Sequence, residues 1–276
     1  DLQGVDTADG SGIPDNIDIL VLADPYLTLD AGTMAALNDY VDRGGNLLVT
    51  TGAGRQQVIN PLLSQLGLRA EKGVIVEANT DIDADRMASY GVKSGEKGFA
   101  FYDRMAARPA TFVSMPSAVA LSVTDTTRFH VTPLTASAAD SWVELDTSNF
   151  RDETPTLDPS RGEVQGSRLT AVALTRNIGG RQQRIMVVGN SNCFDNAQLQ
   201  LAGNISGSRN FNMIANAMHW LSDGRYPVKL TRPAYRDTEI DVTPAQFFRI
   251  KDIYTYVIPA IIGLCGVLVW LRRRRG

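Results

Sequence analysis

A chain of 276 residues with 43% hydrophobic and 21% charged content can bury a substantial core, which argues against a disordered protein and fits one large domain or two small ones. The formal net charge of −3 conceals four consecutive arginines near the C-terminus, Arg272 to Arg275, so the rest is distinctly acidic and no nucleic-acid surface over the main body is expected. Of the two cysteines, Cys265 lies in an apolar run and Cys193 stands alone, so no disulfide framework can form within the domain and the redox compartment stays open.

Residues 1 to 12 are polar and glycine-rich and read as a linker. The main domain is expected over residues 13–226. Its first strand is the apolar run Ile17 to Ala23, ended by Asp24-Pro25. A helix capped by Asp30 follows, with Met34, Leu37 and Val41 on one face and Gly44-Gly45 as its stop. Asn46 to Thr51 form a second buried strand, and a helix from about Gln56 to Leu66 closes at Gly67. Strand, helix, strand, helix at this spacing predicts a βαβ unit with a parallel sheet. Residues 73–165 carry only short β-like runs and read as an irregular insertion. The pattern resumes with apolar strands at Leu169 to Leu174 and Arg184 to Gly189, joined by Gly179-Gly180, and a helix from Asn210 to Ser222 with Phe211, Ile214, Ala215, Met218 and Leu221 on one stripe. Residues 227–252 read as a β-rich juxtamembrane connector.

Ile253 to Leu271 is a run of 19 residues without a charge. At helical rise it spans about 28 Å, close to the hydrocarbon thickness of a bilayer. Tyr254 and Tyr256 mark one end and Trp270 the other, as interfacial aromatics do. The arginines abutting its end outweigh Arg249 and Lys251 on the other flank, so residues 272–276 are expected in the cytoplasm and the body outside it. The sequence opens at Asp1 with no basic region or apolar export segment, which implies a piece of a longer protein whose export signal or further spans lie upstream.

Catalytic and cofactor motifs were sought and none was assigned. Gly91 to Gly98 (GVKSGEKG) lacks the spacing of a phosphate-binding loop, and Gly52-Ala53-Gly54 has Gln57 where a dinucleotide fingerprint needs its third glycine. His130 and His219 are far apart in sequence and read as packed or surface residues rather than metal ligands. Asp81, Asp83 and Asp85 open like a calcium loop, but Arg86 replaces its glycine and Val92 its bidentate glutamate. Cys193 is the one thiol outside the apolar run, with no base assigned to it and no Gly-x-Ser-x-Gly elbow offering a serine instead. What remains is a crevice: parallel sheets bind ligands beyond the carboxyl ends of their strands, and Asp24, Thr51, Gly52, Asn190 and Ser191 follow predicted strand ends. Turn chemistry accounts for these residues as well.

Taken in order, IPDNIDILVLADP at 13–25, the helix ending YVDRGGNLLVTTG, VTPLTASAADSWVELD at 131–146, RIMVVGNSNCFDN at 184–196, FNMIANAMHWLSDG at 211–224 and the arginine-ended C-terminal helix resemble the auxiliary component of uncharacterised ABC transport systems, which includes a gliding-motility-associated subunit. The resemblance implies a doubly wound, amidotransferase-like and Rossmann-like α/β fold with a parallel sheet, in the extracytoplasmic space of a bacterial inner-membrane system. It implies an ABC permease and a separate ATPase subunit as partners, with membrane lipid around 253–271. It carries no catalytic residue, cofactor or metal. Members often read Gly-Asp-Ser-Asp where this chain has Gly189-Asn190-Ser191-Asn192. A non-enzymatic interaction or substrate-binding subunit is therefore expected. The alternatives are a membrane-tethered amidotransferase-like hydrolase, which would need Cys193 beside a histidine, and a sugar- or peptide-binding module, which would need a concave site with exposed aromatics.

Overall fold

The computed structural model describes residues 3–7, 11–77, 83–146, 154–204, 207–227, 249 and 251–274. Asp81, most of the 227–252 connector, Arg275, Gly276 and parts of the 1–12 linker lie outside the described residues. The chain divides into two units, Asp1–Val228 and Lys229–Gly276.

The first unit begins as its sequence pattern dictates: β1 (Ile19–Ala23), α1 (Ala31–Asp42), β2 (Asn46–Thr50) and α2 (Gln56–Gln65). Asp30 caps α1, its carboxylate accepting the Thr33 N–H at 2.8 Å, and these hydrogen bonds hold its carboxyl below the usual carboxylate range. There follow β3 (Leu68–Ala70), β4 (Val74–Val76), β5 (Arg86–Gly91), α3 (Ala100–Ala106), β6 (Val113–Pro116), β7 (Leu121–Val123), β8 (His130–Ala136) and β9 (Trp142–Glu144). The unit ends with β10 (Leu169–Ile178), β11 (Arg181–Val188), α4 (Asn196–Asn204) and α5 (Asn210–Leu221).

Nine strands form one curled sheet in the order β1-β2-β11-β10-β8-β5-β6, with β7 beside β10 and β3 beside β7, while β4 and β9 pair separately. Among the strands of the described residues, β1–β2 and β2–β11 are parallel and the other strand pairings are antiparallel. The doubly wound, amidotransferase-like parallel sheet expected from sequence is thus corrected to a mixed sheet with a parallel portion of three strands. One reason is local. Gly179 and Gly180 both take positive φ in a two-residue turn, and such a turn folds β11 straight back against β10. The other is that residues 73–165 are not an irregular insertion: they supply β5, β6, β7 and β8 to the main sheet. Those strands interleave buried positions with polar or partly buried ones, as in Arg86–Gly91 and Val113–Pro116, so no long continuous apolar run announced them.

The central strands are buried on both faces. Leu47 and Val49 of β2, Val172 and Leu174 of β10, and Ile185 and Val187 of β11 pack with Leu37, Val41, Ile59 and Leu63 of α1 and α2. Their alternates, Leu48, Ala171, Ala173, Met186 and Val188, pack with Met105 of α3 and Met213, Ala217 and Leu221 of α5. Helices therefore cover each face, and each fully buried Leu, Val, Ile or Met contributes roughly 1.5–3 kcal/mol over its exposed state. On α5 the buried line is Asn210, Met213, Ala217 and Leu221, which corrects the expected stripe: Phe211 is exposed. Asn210 faces inward because its amide bridges β6 and the turn after β11, donating to the Ser114 and Cys193 carbonyls at 2.8 and 2.9 Å.

A tight corner follows β11. The Gly189 N–H donates to the Thr170 carbonyl at 2.7 Å, and the Gly189 carbonyl accepts the Val119 N–H at 2.7 Å.

In the second unit, Ile253–Val257 forms a π-turn that runs into α6 (Ile258–Arg274). Pro259 has no N–H to give to the preceding turn, and widening that turn is the usual local response. Together they make a 22-residue helix, long and apolar enough to cross a membrane, with no residue buried. The Arg274 guanidinium carbon stands 5.3 Å from the Trp270 ring centroid.

A methyl at position 189 would stand 2.2 Å from the Val119 carbonyl oxygen, whereas one at Gly12 meets nothing within 4 Å. Gly189→Ala is expected to destabilise the domain by roughly 1–3 kcal/mol, lowering the melting temperature of the purified chain by several degrees. Gly12→Ala should melt like the parent; equal melting of both variants would refute the corner's role.

Candidate functional site

Because β1, β2 and β11 are parallel neighbours, their carboxyl ends open on one edge of the sheet, and the loops leaving them converge. Asp24 leaves β1 with φ +42, a left-handed conformation that Asp tolerates better than most residues, and its N–H is fixed to the Thr50 carbonyl at 3.0 Å. One carboxylate oxygen, Oδ2, accepts the Ser191 hydroxyl at 3.2 Å. The other, Oδ1, is buried without a hydrogen-bond partner and lies 3.9 Å from Nε of Arg55, which is likewise buried and unpartnered. Gly52 lies beside the Asp24 carboxylate and the Ser191 hydroxyl. A methyl built on Gly52 would stand 3.7 Å from each Asp24 carboxylate oxygen and 3.8 Å from the Ser191 hydroxyl, so the missing Cβ leaves a small polar hollow. Arg55, at the start of α2, lays its guanidinium 3.8 Å from the ring centroid of Tyr26. That ring is 74% exposed.

Of the five residues expected in the crevice, Asp24, Gly52 and Ser191 come together around the hollow. Thr51 and Asn190 are buried instead. The Thr51 N–H continues the sheet to the Val188 carbonyl at 3.0 Å. Asn190 is a brace: its Nδ2 donates to the Pro116 carbonyl, while Oδ1 accepts the Cys193 N–H at 2.6 Å. Arg55 and Tyr26 were missed by sequence reasoning. The available signals were an arginine directly after Gly52-Ala53-Gly54 and an aromatic directly after the Asp24-Pro25 breaker.

The Cys193 thiol is buried and donates to the Asn190 carbonyl at 3.2 Å. Burial first, and the neighbouring Asp195 charge second, push it far above the ordinary thiol range. This is the reverse of an activated nucleophile. His130 is exposed on β8 and meets Glu96 at 3.1 Å; His219 lies on α5 with its Nδ1 buried and unpartnered.

The Gly91–Gly98 segment does follow a strand, β5, and leads into α3, but its amides are occupied. Asp103 Oδ1 accepts the Ser94 and Gly95 N–H groups at 2.8 and 3.3 Å, and these bonds hold its carboxyl below the usual range. The Ser94 and Gly95 amides are thus already engaged within the chain. Of the acidic triplet, Asp83 pairs with Arg86 at 3.1 Å and Asp85 accepts the Ser117 hydroxyl. Among the described residues, no group of three or more His, Cys, Asp or Glu side chains is arranged to hold a metal ion.

Fold and site together define a mixed-sheet α/β domain with a polar crevice at the ends of its three parallel strands. The chain belongs to the auxiliary-component family of the ABC-type uncharacterized transport system, whose model matches residues 1–218. No curated protein matches it. Among solved structures it is similar to the mmIFT52 N-terminal domain, with 16% identity over 75% of this chain and 78% of that chain and a TM-score of 0.53. At that identity the likeness concerns the fold alone.

Burial raises Tyr40 to about 12 and pushes Tyr102 and Cys193 higher still. Each of these acids has a folded pKa above its unfolded value, so its stabilising contribution is full below the unfolded pKa and is lost as pH rises through the folded one. Melting temperature should therefore fall progressively above pH of about 8.5, where the unfolded thiol begins to ionise, and more steeply above about 10, where unfolded tyrosines do. Cys193 should resist iodoacetamide until the domain unfolds. A melting temperature flat to pH 11 or rapid native alkylation of Cys193 would contradict this burial.

Proposed function

We propose that this chain is a non-enzymatic auxiliary subunit of a bacterial ABC transport system, anchored in the cytoplasmic membrane by Ile253–Arg274 with its α/β domain on the extracytoplasmic side. The family supports the transport role, and the exposed apolar helix is the observation that carries the anchor. A 22-residue helix rises about 33 Å, enough for the roughly 30 Å hydrocarbon core. Outside a membrane its exposed Ile253, Ile261, Ile262, Leu264 and Val267 would form a large apolar surface facing water. Trp270 and the arginines at its end suit an interface, and the charge bias favours a cytoplasmic C-terminus.

In this reading the chain supplies contacts, and a separate permease and ATPase subunit supply the pore and the energy. The buried, proton-retaining Cys193 supports a non-enzymatic role over an amidotransferase-like hydrolase, because thiol catalysis needs an accessible thiolate. The family match supports a transport system in general rather than gliding motility in particular.

Topology is the deciding measurement. In a Cys265→Ser background, a thiol at exposed Gln57 should react with an impermeant maleimide on intact cells, and one at Gly276 only after permeabilisation. Carrying each arginine through the bilayer costs roughly 2.5–3.5 kcal/mol. The reverse labelling pattern would refute the orientation, and failure to co-purify any permease or ATPase from membranes would refute the subunit role.

A further inference from the structure

The end of the apolar helix carries a charge that the described chain leaves unbalanced. Arg272, Arg273 and Arg274 follow one another in the last turn of α6, all exposed, and Arg275 comes next in the sequence. Among the described residues no carboxylate forms a salt bridge with the first three, and the salt bridges that do form lie in the α/β domain. The nearest acid along the same helix, Asp252, stands at its opposite end, roughly 30 Å away at helical rise. The helix C-terminus itself offers about half a negative charge, too little to balance the row. Successive helical positions turn by about 100°, so the three side chains fan over more than half of the circumference. A single flat acidic surface cannot meet them all, whereas small anions gathered around the helix can. Depth is set by Trp270, which is exposed and lies with its ring centroid 5.3 Å from the Arg274 guanidinium carbon. An indole next to an apolar span sits at headgroup level, and the guanidinium held against it stands at the level of the lipid phosphates.

We propose that Arg272, Arg273 and Arg274, together with Arg275, bind the headgroups of anionic phospholipids of the phosphatidylglycerol type and gather them around the helix end in preference to zwitterionic lipid. The planar fork of a guanidinium meets two phosphate oxygens at once. Phosphatidylcholine offers the same phosphodiester, but its own choline cation balances it. The glycerol headgroup brings a negative charge with no counter-charge, which is what the unpaired row lacks. This inference rests on the membrane-anchor reading and deepens it by naming the lipid class. It does not depend on which side of the membrane the helix end faces.

The full chain is to be reconstituted into vesicles of equal parts phosphatidylcholine and phosphatidylglycerol. Brominated acyl chains are placed on one lipid in the first preparation and on the other lipid in the second, so the headgroup composition is identical and bromine quenches Trp270 only from neighbouring lipid. Trp142 and Trp220 belong to the α/β unit, and the Trp270→Phe chain supplies their signal for subtraction. Stronger quenching by brominated phosphatidylglycerol is expected, because each basic side chain beside an anionic surface favours it about fivefold. A chain carrying Arg272→Gln, Arg273→Gln, Arg274→Gln and Arg275→Gln should be quenched equally by the two lipids. In the parent chain the preference should shrink as ionic strength rises from about 0.05 M to about 0.5 M, a measurement that stands even where the substituted chain fails to insert. Equal quenching of the parent chain at low salt, the result expected if the arginines meet an acidic protein instead, would overturn the proposal while leaving the anchor intact. So would a preference that survives both the four substitutions and high salt. Absence of quenching by either lipid would refute the anchor itself, and the proposal with it.

Discussion

The structure turns on the corner after β11, where the parallel and antiparallel parts of the sheet are joined within two residues. Gly189 exchanges backbone hydrogen bonds with Thr170 and Val119, an approach so close that no Cβ fits. Asn190 then spends its whole amide on the Pro116 carbonyl and the Cys193 N–H. Leaving such groups unpaired in a buried setting costs about 1–3 kcal/mol each, so the amide here locks strand β6, strand β11 and the turn before α4 into one arrangement. The next residue, Ser191, is delivered to Asp24 as a result.

That delivery explains the division of labour around the strand ends. Thr51 and Asn190 go inward because their backbone and side chains complete the sheet and its corner. Asp24, Gly52 and Ser191 stay at the surface of the crevice, and Arg55 reaches them from the first turn of α2. The left-handed backbone at Asp24 is the kind of local cost that a fold retains where surrounding contacts over-determine it. Here the Thr50 carbonyl, the Ser191 hydroxyl and the Arg55 side chain all hold Asp24. Asp24 Oδ1 and Arg55 Nε, buried without a hydrogen-bond partner, face each other at 3.9 Å.

Membership in the ABC transport auxiliary family and the presence of one long apolar helix are compatible with this architecture without explaining it. The architecture is a frame with one edge formed by the carboxyl ends of its parallel strands. The two-faced sheet supplies the frame, since its central strands are covered by helices on both sides. The likeness to the mmIFT52 N-terminal domain says that the same frame recurs in another chain at low identity, and a frame does not carry its function with it.

By itself the sequence determined those features whose cause is local. Asp30 capping α1, the glycines closing α1 and α2, the apolar runs of β1, β2, β10 and β11, and the uncharged run of Ile253 to Leu271 each follow from residues near one another in the chain. Tertiary structure decided the rest. An apolar run such as Ile185 to Val188 reports burial on both faces but not the direction of its neighbour, so β10 and β11 could both be recognised as strands while a sheet that is antiparallel on one side of β11 and parallel on the other could not. The strands between residues 73 and 165 interleave buried positions with polar or partly buried ones, and their pairing is fixed by contacts many residues apart. On α5 the amide of Asn210 overrode the apolar stripe, because hydrogen bonds to β6 and the turn after β11 needed it inside. Three of the five strand-end residues, Asp24, Gly52 and Ser191, come together with Arg55 and Tyr26 beside them, because convergence of loops on one sheet edge is set by strand order, a property that no single segment contains.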